Sequence, residues 1–292
     1  MSNYILGGGI AGLLCHYFNP TFKIISPDIG GQLKAKKLKF AFFIHDHPET
    51  TKLLDRLGVE YKRDRVDIYY YYKGKVRSDI DPNIRKRFIR NKMSMYYTNT
   101  YFSVSDLNLS VNKNYLDVIT CNMGDIIKKL TPAADKIIKA KVKLIDGLKK
   151  ELLLLDKDDK LQLLSYDKLI STMPAYDFFR LLFTFRNDYY MFNYIPATYV
   201  SSKHKPSWAT KDGMYYVLDS NLIYNRVVVK AGEATSYEIT GIPTDSVLDV
   251  CFDVIEGVER RYLGLIMSEE VDDLRDVKFV GRFAQWKKKK KI

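Results

Sequence analysis

Gly7, Gly9 and Gly12 stand as Gly-x-Gly-x-x-Gly between a short apolar run, Tyr4-Ile5-Leu6, and a second apolar stretch that opens at Ile10. Each glycine has its own task in that spacing. The first permits a tight turn, the second lets the backbone approach a pyrophosphate, and the third brings a helix close to the preceding strand. The N–H groups and positive dipole end of that helix then face the phosphates. With Gly8, Ile10 and Ala11 completing the loop and first turn, residues 7–12 form a candidate dinucleotide-binding segment. In such sites an acid about 20 residues past the first glycine binds the ribose 2′-OH. Ser26 holds that place at the end of an apolar strand over 22–26, and Asp28 follows in a turn over 27–31. A serine hydroxyl lacks the charge-assisted strength of a carboxylate, so modest ribose affinity is expected.

Other reactive side chains are sparser. Arg226 lies in a strand-like stretch, 223–229, where it either clamps an anionic substrate group or simply points outward. Tyr215 and Tyr216 alternate faces, so only one of them lines a pocket. His45 and His47 share a face if 42–47 is a strand, but no third ligand stands at a metal-binding spacing, so no metal is expected. The chain carries no Gly-x-Ser-x-Gly elbow, no Gly-Lys-Ser/Thr phosphate loop and no zinc-type His/Cys cluster. Hydrolase and kinase chemistry therefore has no support.

The elements that must position these groups read as alternating helices and strands. Residues 48–58 have an early proline, leucines at 53, 54 and 57 on one face and Gly58 as a stop, which predicts a helix. Strands over 66–72 and 75–77 flank a Lys73-Gly74 turn, a hairpin signal. A helix over 124–130 precedes strands at 142–145, 152–155 and 161–164, with a turn at 156–160. Residues 166–174 read as a strand ending in a proline turn, 178–185 as an aromatic, partly helical region, and 214–217, 223–229 and 236–240 as an antiparallel sheet. A helix is expected over 247–257, and a strand from 277 runs into a glycine turn at Gly281.

The 292 residues are 46% hydrophobic and 28% charged, which suits a folded chain with a substantial core. The longest apolar runs fall far short of the ~20 residues that span a bilayer. A cytoplasmic protein that does not enter membranes is expected. Cys15, Cys121 and Cys251 are scattered, which predicts buried small hydrophobes rather than disulfides or thiolate metal ligands. The net charge of +12, five units of it from the lysines at 287–291, favours anionic partners, from a nucleotide-linked small molecule to nucleic acid. The 22 tyrosines are poor evidence for base stacking, because a biased genome composition accounts for them equally well.

Five stretches, in this order, resemble the FAD-dependent amine oxidase-like flavoproteins, which share a glutathione-reductase-type FAD fold with UDP-galactopyranose mutase and protoporphyrinogen oxidase. Gly7–Gly12 is similar to the FAD pyrophosphate loop, and Gly30-Gly31 to the paired glycines after the second strand. Residues 166–174 resemble the strand and Ser-Thr-x-Pro turn that leave the FAD domain. Residues 214–226, with Asp219 and Arg226, resemble the substrate-region strand pair, and residues 281–286 the late Gly-Arg segment that returns to the flavin.

The resemblance implies an α/β fold: a Rossmann-like FAD-binding domain over 1–78, 120–175 and 268–292, and a smaller α+β substrate domain with an antiparallel sheet over 79–119 and 176–267. It implies FAD held by Gly7, Gly8, Gly9, Ile10, Ala11, Gly12, Ser26, Gly30, Gly31, Val142, Thr172, Gly281, Arg282 and Trp286, with Arg226, Tyr216 and His45 near the reaction. The activity it implies is oxidation of a C–N bond in an amine or amino-acid-linked substrate. The alternatives are redox-neutral isomerisation of a sugar nucleotide and a non-catalytic nucleotide or nucleic-acid binding protein. Small size, basic charge and biased composition also fit a viral flavoprotein acting on modified nucleic-acid bases. The chain departs from the family in Ser26, which replaces the ribose acid, and in being shorter than typical members.

Overall fold

The structure, a computed structural model, describes residues 2–31, 44–79, 114–183, 194–219, 221–252, 254–266 and 273–281. Arg282, Trp286, the lysines at 287–291 and most of the stretch 79–119 lie outside the described residues.

Tyr4, Ile5 and Leu6 are all buried, which suits a strand covered on both faces. They form β1 (Asn3–Leu6), the centre of a five-stranded parallel sheet. β2 (Lys23–Ile25) flanks it on one side, with β7 (Ile137–Ile138) beyond; β11 (Lys168–Ser171) flanks it on the other, with β17 (Val277–Phe279) beyond. The two-residue strand period splits these residues between two cores. Ile5, Ile24 and Ile170 pack against Leu13 of α1 (Ile10–Phe18), Leu54 of α2 (Pro48–Leu57) and Ile126 of α3 (Met123–Leu130). Leu6, Ile25 and Phe279 pack instead against Phe178 and Phe179 of α4 (Ala175–Leu181). Each fully buried Leu, Ile or Phe contributes roughly 1.5–3 kcal/mol, so the sheet is fixed from both faces.

The second core is closed by a three-stranded antiparallel sheet of β8 (Ala140–Asp146), β9 (Glu151–Asp156) and β10 (Leu161–Ser165), which contributes Ala140, Ile145, Leu152 and Leu154. The expected turn at 156–160 forms because Asp156 Oδ1 accepts from the backbone N–H groups of Asp158 (2.8 Å) and Lys160 (2.9 Å).

A larger mixed sheet runs in the order β16 (Ile255–Ile266), β12 (Tyr194–Ser202), β15 (Thr235–Thr240), β14 (Tyr224–Val229), β13 (Gly213–Val217), β4 (Tyr61–Tyr72), β6 (Tyr115–Cys121), β3 (Ile44–His45). Its pairings are antiparallel except that of β4 with β13. β4 also forms the expected hairpin with β5 (Lys75–Arg77), turned by Lys73 and Gly74 at positive φ. The first half of β4 pairs with β6 and its second half with β13. One face of the sheet is covered by Trp208, stacked on Tyr71 at 4.2 Å, and by Leu248 of α5 (Asp245–Cys251).

Three local expectations are corrected. The helix over 247–257 stops at Cys251, and the chain from Ile255 pairs with β12, because the strand there satisfies its backbone in the sheet rather than along a helix. Cys251 is exposed, whereas Cys15 is buried and Cys121 half-buried. His47 is not in a strand with His45: it is the N-cap of α2, its Nδ1 accepting from Glu49 N at 3.3 Å. Among the described residues no helix is long and apolar enough to cross a membrane.

Candidate functional site

The glycine segment connects β1 to α1 and is held from three sides. Gly7 donates to Ile25 O (3.0 Å), Gly30 donates to Gly8 O (2.8 Å), and Thr172 Oγ1 donates to Leu6 O at 3.0 Å while lying 3.3 Å from Gly7 O. Gly7 sits at φ +110°, where a β-carbon would also meet Thr172 Oγ1 at 2.6 Å. A β-carbon on Gly12 would stand 1.9 Å from Gly7 O, which measures how closely α1 is pressed onto the loop.

Gly9 differs from these. Its backbone is extended, and a β-carbon placed on it meets nothing within 4 Å. It is the N-cap of α1, makes no side-chain capping bond, and is followed by a first turn with no acidic residue. The N–H groups that open a helix have no partner within the helix itself. A bare backbone, open space and a helix N-terminus thus coincide, the donor set and room that a pyrophosphate requires. The residues present fit the phosphate portion of a dinucleotide.

The neighbours expected around this loop are partly assembled. A β-carbon on Gly31 (φ +53°) would lie 3.0 Å from Gly9 Cα, and one on Gly281 (φ +99°) would lie 3.1 Å from Ala11 Cβ, so both chain turns reach the loop. Val142 of β8 is half-buried against the core that contains Leu6 and Ile25. Ser26 is buried and closes its own turn, donating from Oγ to Asp28 O at 2.6 Å. Its hydroxyl proton is thereby used within the turn, and the same oxygen accepts from Asp28 N at 3.4 Å. Asp28 is exposed, with Oδ1 accepting from Ile29 N at 2.9 Å.

The residues expected near the reaction lie on the large sheet. Tyr215 is turned to the covered face, its hydroxyl donating to Lys211 O at 2.7 Å; Tyr216 takes the opposite face beside Arg226. Arg226 is engaged by Glu238, its direct partner across β14 and β15, through Nη2 to Oε2. That carboxylate, with the Tyr216 and Tyr199 hydroxyls nearby, pushes the guanidinium pKa up against the opposing pull of burial. Glu238 and Tyr199 were absent from the sequence reading. Hairpin arithmetic would have found the first: if residue 229 pairs with 235, residue 226 faces 238. His45 is exposed at the far end of the sheet, paired with Val118 of β6 and separated from β13 by β6 and β4.

The pair makes a stability prediction. Arg226→Ala leaves the Glu238 carboxylate half-buried without its main partner and should cost about 1–2 kcal/mol, discounted from the buried-pair range because both side chains touch solvent. Arg226→Ala combined with Glu238→Ala should recover part of that loss in chemical unfolding. Strict additivity of the two single losses would contradict the pairing.

No known family profile matches the chain, and no curated protein matches it in sequence. Solved structures do resemble it. A reduced UDP-galactopyranose mutase superposes with a TM-score of 0.62 at 12% identity, over 91% of this chain and 84% of that one. A fatty acid isomerase from P. acnes superposes at 0.61 and 10% identity, over 89% and 86%. A variant of putrescine oxidase with redesigned cofactor binding superposes at 0.59 and 10% identity, over 95% and 92%. At these identities the likeness is one of fold, and it is consistent with the expected mixed α/β architecture of a parallel sheet with additional antiparallel sheets.

Proposed function

We propose that the protein binds FAD and oxidises a C–N bond of an amine. The observation that carries the first part is Gly9: an unfilled position at an uncapped helix N-terminus, within a fold shared with an oxidase and a mutase. Residues 7–12 would hold the pyrophosphate, Gly30, Gly31 and Gly281 would let the backbone close around it, and Asp28 is the carboxylate nearest the ribose position in sequence. When bound, the flavin supplies the hydride-accepting chemistry. Thr172 keeps the loop in shape from the end of β11. The division into FAD and substrate domains given above belongs to this proposal.

The second part is supported by the sheet face that carries Tyr216. Ile68, Tyr70, Met214, Leu218 and Val228 cluster there with Tyr216, and the one arginine among the expected site residues in this sheet is already neutralised by Glu238. Only Tyr216 of this group is partly exposed, the others being buried, and an apolar, aromatic environment around it suits a neutral amine, whereas a sugar diphosphate needs cations free to bind it. Anaerobic addition of primary and secondary amines, putrescine included, to the oxidised flavoprotein should bleach its visible absorption. Dithionite-reduced protein should fail to interconvert UDP-galactopyranose and UDP-galactofuranose. Turnover in that second assay would replace the oxidase reading with the mutase reading.

A further inference from the structure

We infer that the protein pairs with a second copy of itself through β10, as a two-fold dimer that joins two three-stranded sheets into one of six strands. The two outer strands of the small sheet are not alike. At β8 the edge is engaged: Phe183 donates to Ile145 O at 2.9 Å and Leu182 bridges Ile145 in parallel. At β10, among the described residues, no strand pairs with the outer edge.

The hydrogen-bond phase fixes which groups that edge presents. Asp156 N donates to Lys160 O, and Tyr166 N to Lys150 O, so the even-numbered residues from 160 to 166 direct their backbone groups at β9. Antiparallel pairs alternate, so Leu161, Leu163 and Ser165 direct their N–H and C=O groups outward. Leu161 is 64% exposed and Leu163 59%. Natural edges are usually protected by a charge, a proline or a bulge, and the five residues Leu-Gln-Leu-Leu-Ser contain none of these.

The occupant follows from self-complementarity. In an antiparallel pair centred on Leu163, Leu163 faces its own copy, and Leu161 faces Ser165. Every outward N–H then finds an outward C=O. The register within one copy aligns Leu144, Leu153 and Leu163 in a row across the sheet. The two-fold extends this row into an unbroken stripe of leucines from both copies. The reversed direction also sets Lys160 opposite Tyr166 and places the acidic row of Glu151 and Asp146 in line with the partner's Lys141, so no like charges meet within the paired strands themselves. On the same face, Leu148, Leu153, Leu163 and Phe183 border an open hollow of about 340 Å³, and the exposed Leu148 and Phe183 widen the apolar surface beyond the strand itself.

The test uses the full chain with Cys251→Ser to remove the exposed thiol. Sedimentation at about 100 µM should give twice the chain mass. Leu163→Lys, which sets two charges against each other on the axis, should give the monomer mass with the thermal transition retained. Geometry provides the sharper check. Hydrogen-bonded antiparallel partners lie about 5.5 Å apart at Cα, within disulfide reach, so Leu163→Cys should cross-link to its copy on mild oxidation. Leu161→Cys, four residues out of register with its copy and so roughly 14 Å from it, should not. A monomer at that concentration, a dimer unaffected by Leu163→Lys, or cross-linking at 161 as readily as at 163 would each overturn the inference.

Discussion

Replacement of Gly9 by valine is expected to abolish retention of flavin while leaving the protein folded. The φ of −73° and ψ of −178° at this position suit any L-residue, and its β-carbon would enter open space. The fold therefore loses only the difference between glycine and valine at a helix N-cap, about 1 kcal/mol at most. The cofactor loses the close approach of its phosphates to the helix N–H groups. A weakening of at least ~100-fold in FAD titration is expected, equivalent to roughly 3 kcal/mol. Equal affinity in wild type and variant would remove the pyrophosphate from this loop.

Gly12→Ala should act in the opposite sense, on the fold before the cofactor. The added carbon would stand 1.9 Å from a backbone oxygen, and neither the strand end nor the helix start is the flexible tip of a side chain. Helix α1 must then lift from β1, loosening the packing of Leu13 on Ile5 and Ile24. Overpacking of this kind costs on the order of 3 kcal/mol, and here it falls on the central strand. A marked drop in the chemical unfolding midpoint is expected with or without added FAD. If Gly12→Ala unfolds like wild type, the helix does not approach the loop as described.

The two substitutions separate what the glycine motif encodes. Its first and third glycines are legible in the sequence as steric requirements, and the structure gives each its obstacle: Thr172 Oγ1 for Gly7, Gly7 O for Gly12. The Lys73-Gly74 hairpin and the leucine face of α2 were legible for the same reason, since each is decided by residues a few positions apart. What escaped the sequence depends on distant partners. The first half of β4, Tyr61-Lys-Arg-Asp-Arg65, lies outside the strand expected over 66–72. It is a strand because β6 pairs with it and supplies Asp117 to Arg65, while Asp46 meets Arg63. The parallel pairing of β4 with β13 joins residues well over a hundred positions apart, and no local pattern announces it. Ser26 shows the limit at the candidate site itself. Its place after the second strand was correctly read, but the bond from its hydroxyl to Asp28 O depends on the turn that follows.

Arg226 carries a similar lesson about charge. Read alone, a strand arginine is a candidate anion clamp; in the folded sheet Glu238 occupies it, and the surrounding face is aromatic and apolar. The high net charge of the chain therefore does not translate into a free cation at this position.

The most direct test of the account is the visible spectrum of the purified protein after incubation with FAD and desalting. Stoichiometric retention of the two-banded absorption of oxidised flavin, lost in Gly9→Val but kept in Leu163→Lys, is the predicted result. A colourless protein after that treatment, with its fold intact, would contradict the assignment of a flavin site to the Gly7–Gly12 loop.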